Sequence, residues 1–190
     1  MLKLSDWRIS LAVVAIIITI QVAVLHWFGQ PTFSASGKML LWAGDVLGRE
    51  NSQQLSDWYS FSHIIHGFLF YCGLWFFFPR LSVWQRLAIA VGIEVAWEIT
   101  ENTPMVIQHY REQALAQGYT GDSVINSISD TVMMIVGFLI ARTAPVWATI
   151  TAAFGMELFT GYFIRDGLFF NVLNLVHQVD FIAKWQAGNR

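Results

Sequence analysis

Five apolar runs, at residues 9–28, 61–78, 82–99, 124–141 and 146–164, are long enough, or nearly so, to cross a hydrocarbon core about 30 Å thick. Inside hydrocarbon a chain must satisfy its own backbone hydrogen bonds, and runs of this length do so as α-helices. The expected fold is all-α: a polytopic transmembrane bundle of about five membrane-spanning helices. Composition agrees, with 55% apolar and 13% charged residues, where soluble domains carry about 25% charged. No repeat or low-complexity tract divides the chain, so residues 1–190 read as one integral membrane domain. A formal net charge of −2, without clustered Lys and Arg, gives no footprint for nucleic acid. Cys72 is the single cysteine, which excludes an intramolecular disulfide.

Lys3 and Arg8 flank the start of the first run, which continues almost unbroken to Leu25 and closes on His26, Trp27 and Phe28. It is longer than the apolar region of a signal peptide and reads as a retained anchor. Residues 29–57 form the largest piece between runs, with an apolar middle, Met39 to Trp42, expected at the interface. Residues 101–121 read as a polar loop. Residues 168–183 place Asn171, Asn174, His177 and Asp180 three apart among large apolar side chains, the pattern of a helix lying in the interface plane. Arg80, Arg86 and Arg142 lie close to run ends on the side of the N-terminus, which favours a cytoplasmic N-terminus.

Within the apolar runs the polar residues are few and grouped. His63 and His66 lie near the start of the second run. Glu94 and Glu98 lie late in the third, with Glu101 and Asn102 following. Asp122, Asn126 and Asp130 open the fourth, Glu157 lies late in the fifth, and Arg165 and Asp166 end it. Counting crossings puts all of them in one half of the bundle. Spacings of three and four residues give each group one helical stripe. Asp130 is expected roughly 12 Å deeper than Asp122, and Glu94 roughly 10 Å deeper than Glu101. An ionised side chain at mid-membrane costs about 2.5–3.5 kcal/mol on insertion scales, so these groups must line a cavity, pair or be protonated. His63, His66 and Arg165 are the expected partners of the acids. Gly73, Gly92, Gly137 and Gly155 are read as sites of close helix packing.

Three functions remain open at this point. The cluster is a structural lock between helices, or a path for a proton, cation or small molecule, or a catalytic pocket. In the last, His63, His66, Glu98 and Asp130 are the catalytic candidates, with Glu98 or Asp130 as general base. His63, His66 and Glu98 are then candidate ligands of a divalent metal, although no HExxH-type motif is present. Glu94, Glu101, Asn102, Asp122, Asn126, Glu157, Arg165 and Asp166 are the candidate substrate-binding residues, with Arg165 holding an anionic lipid headgroup or small anion. The lipid bilayer itself is the expected partner.

The runs ENSQQLSDWYSFSHIIHGFLFY (Glu50 to Tyr71), WEITENTPMVIQHYR (Trp97 to Arg111), GYTGDSVINSISDT (Gly118 to Thr131) and IRDGLFFNVLNLVHQVDFIAKWQ (Ile164 to Gln186) resemble those of a bacterial membrane-protein family, DUF2585 or UPF0314. The resemblance covers nearly the whole chain after the first run. It implies a multi-pass protein of the bacterial inner membrane and brings no accepted activity with it.

Overall fold

Local chemistry sets the ends of the helices into which the long apolar runs fold. The computed structural model describes residues 7–113, 115–116 and 118–188, in which there are eight α-helices and no named strand. They are α1 (Trp7–Trp27), α2 (Ser60–Phe77), α3 (Val83–Glu101), α4 (Pro104–Arg111), α5 (Val124–Thr143), α6 (Val146–Ile164), α7 (Leu168–Val176) and α8 (Asp180–Ala187). A capping box starts α3: Ser82 Oγ accepts from the Gln85 amide, and Gln85 Oε1 accepts from the Ser82 amide. Ser123 caps α5 by accepting from the Asn126 amide at 3.2 Å. Arg165, in the left-handed region at φ 59°, ends α6.

The all-α expectation stands, but the number of spans does not. Among the described residues only α1, α2 and α5 are long and apolar enough to cross a membrane. The third run fails because α3 carries Arg86, Glu94, Glu98 and Glu101 along its length. The fifth fails because Glu157, three threonines and two glycines dilute α6. The expected single helix at 168–183 is two short helices, α7 and α8, broken at residues 177–179. The polar loop at 101–121 contains a helix, α4, opened by Pro104 at its first position. Lys3, used in assigning the N-terminal side, lies outside the described residues.

The bundle is built around two pairings, α2 on α5 and α1 on α3. A Cβ built on Gly67 would meet Met134 O at 2.1 Å, and one on Gly137 would meet Ile64 O at 2.1 Å, so α2 and α5 touch backbone to backbone. Of the four glycines expected to pack closely, Gly137 does so; Gly73 and Gly155 have nothing within 4 Å, and Gly92 makes only ordinary contact.

The bundle interior changes character along its length. Leu74, Leu87, Val91, Met134 and Phe138 make an apolar core around the end of α2 and the start of α3. The opposite end, where α2 and α5 begin and α3 finishes, is polar. Over it lies the segment from Gly29 to Tyr59, pinned to α5 where Pro31 O and Ser52 O accept from the Val124 and Ser123 amides. Buried Asp57 holds this segment's turn, accepting from the Ser52 amide at 2.9 Å and the Tyr59 amide at 2.8 Å.

Candidate functional site

The polar end is organised around His63, which sits in the first turn of α2 and is buried. Its Nδ1 is 2.5 Å from Glu94 Oε1, and His66, three residues on along the same face, places its own Nδ1 3.0 Å from Glu94 Oε2. One fully buried carboxylate on α3 thus receives both imidazoles of α2. With Nδ1 engaged, Nε2 is left as the free nitrogen of His63, and it faces Asp130 Oδ2 at 3.9 Å. Asp130 also accepts from Ser60 Oγ at 3.3 Å.

Glu98 lies one turn beyond Glu94 and is 1% exposed. Its Oε2 accepts from Ser127 Oγ at 2.5 Å. Its Oε1 is buried with no hydrogen-bond partner, 3.5 Å from His63 Nδ1. Two three-residue sets each bring one ligand atom per residue within 4.8 Å of the others: His63, His66 and Glu94, and His63, Glu98 and Asp130. The sequence-derived trio of His63, His66 and Glu98 is therefore divided between two groups that share His63. Glu94, expected to bind substrate, is the residue that joins the imidazoles.

Above this floor lies a cavity of about 380 Å³ whose walls include Glu101, Asp122, Asp166, Tyr110 and Tyr119, with His63 and Asp130 at its base. The Asn102 side chain bridges the end of α3 to the start of α5. Its Nδ2 donates to Glu98 O and to Asp122 Oδ2, and its Oδ1 accepts from the Asp122 amide. Tyr119 Oη donates to Asp122 Oδ1, and Tyr59 Oη donates to Asp166 Oδ2. Gly121 closes this corner in the left-handed region at φ 92°, where a Cβ would stand 2.2 Å from Gln30 Nε2.

Burial pushes the Asp122 carboxyl up to about 6, against the pull of the Asn102 and Tyr119 hydrogen bonds. Burial likewise raises Asp166 to about 6. Asp57 is also raised by burial, as are the phenols of Tyr59 and Tyr119, which buried carboxylates push further. A raised value means that the folded chain keeps a proton the unfolded chain gives up. The contribution is therefore complete below the unfolded value of 3.8 and disappears as pH rises through about 6. Melting curves of the purified protein should show Asp122 and Asp166 favouring the fold at pH 4 relative to pH 7. Asp166→Asn should reduce that pH dependence, and an unchanged profile would contradict the assignment.

The remaining candidates are hydrogen-bonded to backbone groups of neighbouring elements. Asn126 donates from Nδ2 to Gln54 O at 2.9 Å and fastens the overlying segment to α5. Glu157 accepts from the Leu168 and Phe169 amides at the start of α7, as an acid does at a helix N-terminus. Arg165, expected to pair with the acids and to hold an anion, instead donates to the Trp185 and Gly188 carbonyls and fixes the end of α8. Within α4, His109 Nε2 contacts Asn174 O, and the exposed Arg111 donates from Nε to Tyr119 O.

Several residues of the polar end were not singled out from sequence. Gln21, fully buried on α1, donates from Nε2 to Ser127 Oγ and Thr131 Oγ1. Its signal was present: a lone amide inside an otherwise apolar run needs a partner in the bundle. Tyr59, Tyr110 and Tyr119 carried no such signal, because tyrosine near a membrane interface is common.

The Protein of unknown function (DUF2585) family matches residues 25–188. A UPF0314 protein of Sphingopyxis alaskensis is 50% identical over 97% of this chain and 96% of its own length. UPF0314 proteins of Rhizobium meliloti and Agrobacterium fabrum are 51% and 47% identical, over 90% and 92% of this chain and 87% and 88% of their own lengths. No solved structure matches. With the match running from the end of α1 through α8, the chain belongs to the DUF2585 (UPF0314) family of bacterial membrane proteins.

Proposed function

We propose that this protein binds a divalent cation on His63, Glu98 and Asp130, at the floor of its cavity. The observation that carries this reading is Glu98 Oε1, a buried carboxylate oxygen with no hydrogen-bond partner, on a residue that brings a ligand atom within 4.8 Å of ligand atoms of His63 and Asp130. Leaving such an acceptor unsatisfied is costly, and a cation satisfies it directly. The rest of the arrangement fits. Glu94 on His63 Nδ1 is the carboxylate–histidine pairing that orients an imidazole so that its other nitrogen can ligate. One imidazole with two carboxylates suits Mn²⁺, Zn²⁺ or Mg²⁺. An ion there would face the cavity, where it can polarise a bound water or a headgroup oxygen.

The site belongs in the bacterial inner membrane with the N-terminus in the cytoplasm and the cavity opening to the periplasm. Support comes from Arg8, Arg80, Arg86 and Arg142, which all lie near helix ends away from the cavity. A small-anion ligand for the cavity is not favoured, since its walls carry four carboxylates and Arg165 is committed elsewhere.

Elemental analysis of protein purified without chelator in metal-replete buffer should find one ion per chain, lost in Glu98→Gln and Asp130→Asn. An impermeant chelator added to spheroplasts should strip it. A metal-free wild type under those conditions would refute the ion, and protection from the chelator would refute the orientation. A structural reading has its own observation: Ser127 links Glu98 to Gln21 and so ties α5 to α3 and α1. On that reading Glu98→Gln lowers the melting temperature and there is no ion to lose.

A further inference from the structure

The cavity above the proposed ion has a character of its own. Of its lining side chains, Glu101, Asp122, Asp130 and Asp166 are acidic, and Arg49 is the single Lys or Arg. Tyr59, Tyr110 and Tyr119 supply aromatic surface between the acids. Acids alone would define nothing, but two lining residues carry buried atoms without partners. Gln113, 8% exposed, has its Nε2 donor buried with no acceptor, and Asn51 Oδ1 is a buried acceptor with no donor. Native structures satisfy such atoms, so each asks for a complementary group on whatever fills the space. About 380 Å³ lies within the range of small-ligand sites.

A second cleft of about 110 Å³ adjoins the first and shares Tyr59, His63, Glu101 and Asn171 with it. Its other walls include Trp97, Leu168 and Val172, on α3 and α7. Ser62 and His66 on α2 complete it, so it is polar where it meets the main cavity and bounded by apolar side chains on its α3 and α7 side, which suits a side entrance for a molecule with a polar head and a hydrocarbon tail.

We infer that the cavity binds the primary-ammonium headgroup of a lipid, such as an ethanolamine phosphoester, admitted through the cleft beside Trp97 and Leu168. The ammonium offers three N–H donors to Glu101, Asp122 and Asp166, whose carboxylates still have free lone pairs. Tyrosine faces favour the same cation. The phosphoester oxygens supply the acceptor that Gln113 Nε2 lacks, and Arg49, exposed at the cavity wall, can take their charge. A trimethylated headgroup has no N–H to give, and a glycerol headgroup has no cation.

The inference rests on the cavity walls rather than on the ion: Glu101, Asp122 and Asp166 are not among the proposed ion ligands, and Glu98 does not line the cavity. The full chain would be reconstituted with phosphatidylethanolamine, phosphatidylcholine or phosphatidylglycerol, delipidated stepwise in detergent, and the retained lipid measured by native mass spectrometry. Phosphatidylethanolamine should survive delipidation and the other two should not. Gln113→Met should reduce its retention by about tenfold, the loss of one hydrogen bond to a charged group, and should leave the melting temperature unchanged because that amide nitrogen holds nothing in the fold. Glu101→Gln should weaken retention likewise, whereas Glu98→Gln should lose the ion and keep the lipid. Free phosphoethanolamine should compete. If it binds below about 1 mM while no lipid is retained, the ammonium site stands and its source is a soluble amine. Equal retention of the three lipids with no effect of Gln113→Met overturns the site altogether.

Discussion

Gly67→Leu is expected to prevent this protein from accumulating in a folded form. The added Cβ alone would lie 2.1 Å from Met134 O and 2.5 Å from Phe138 N, both backbone atoms of α5. Side-chain overpacking typically costs about 1–3 kcal/mol because neighbours change rotamer. A backbone carbonyl has no rotamer, so the helices themselves must part. Parting them would draw His63, four residues before Gly67 on α2, away from Asp130, seven residues before Gly137 on α5. Gly67→Ala and Gly137→Ala should therefore lower the melting temperature and disturb the polar end together. Gly73→Ala and Gly155→Ala are the controls. Neither meets an atom within 4 Å, and alanine gains up to about 1 kcal/mol of helix propensity over glycine at an exposed interior position. A Gly67→Leu protein that purifies with wild-type melting would show that α2 and α5 do not meet where the structure puts them.

The same contact shows where sequence is legible and where it stops. Gly137 is among the small residues expected to pack closely, but the same signal marks Gly73, Gly92 and Gly155, which do not. Nor does pattern name Gly67 as its counterpart, since nothing local distinguishes Gly67 from Gly73 or Gly155. Hydrophobic length located the helices but misjudged which are apolar enough to cross. The embedded acids of α3 and the threonines and glycines of α6 lower the apolarity on which crossing depends. Periodicity put Glu94, Glu98 and Glu101 on one stripe and His63 with His66 on one face. Which acid receives the imidazoles depends on the rotation of α3 against α2, and pattern does not contain that angle. The tertiary roles of Glu157 and Arg165 were equally hidden, because the amides and carbonyls they bind belong to α7 and α8, whose break at 177–179 interrupts a smooth amphipathic pattern.

Glu94 is where fold and proposed function are most tightly joined, and its variants should separate them. Glu94→Ala leaves His63 and His66 facing a buried void, with Nδ1 of each deprived of its acceptor. Removing one member of a buried polar pair costs about 3–5 kcal/mol, a large part of the few kcal/mol that keep a domain folded. Severe destabilisation is the expected result. Glu94→Gln is the sharper variant. Its amide oxygen can still accept from one imidazole, so the helices stay together and the melting temperature falls less. The charge that polarises His63 is gone, however, and the second imidazole loses its acceptor. Loss of an outer carboxylate behind a metal-bound histidine typically reduces ion affinity by about 10–100-fold. Glu94→Gln should thus remain folded and bind the divalent ion more weakly by that factor, as read by competition with a fluorescent chelator. A variant that melts near the wild-type temperature with unchanged ion affinity would leave Glu94 a spectator and detach His63 from the proposed site.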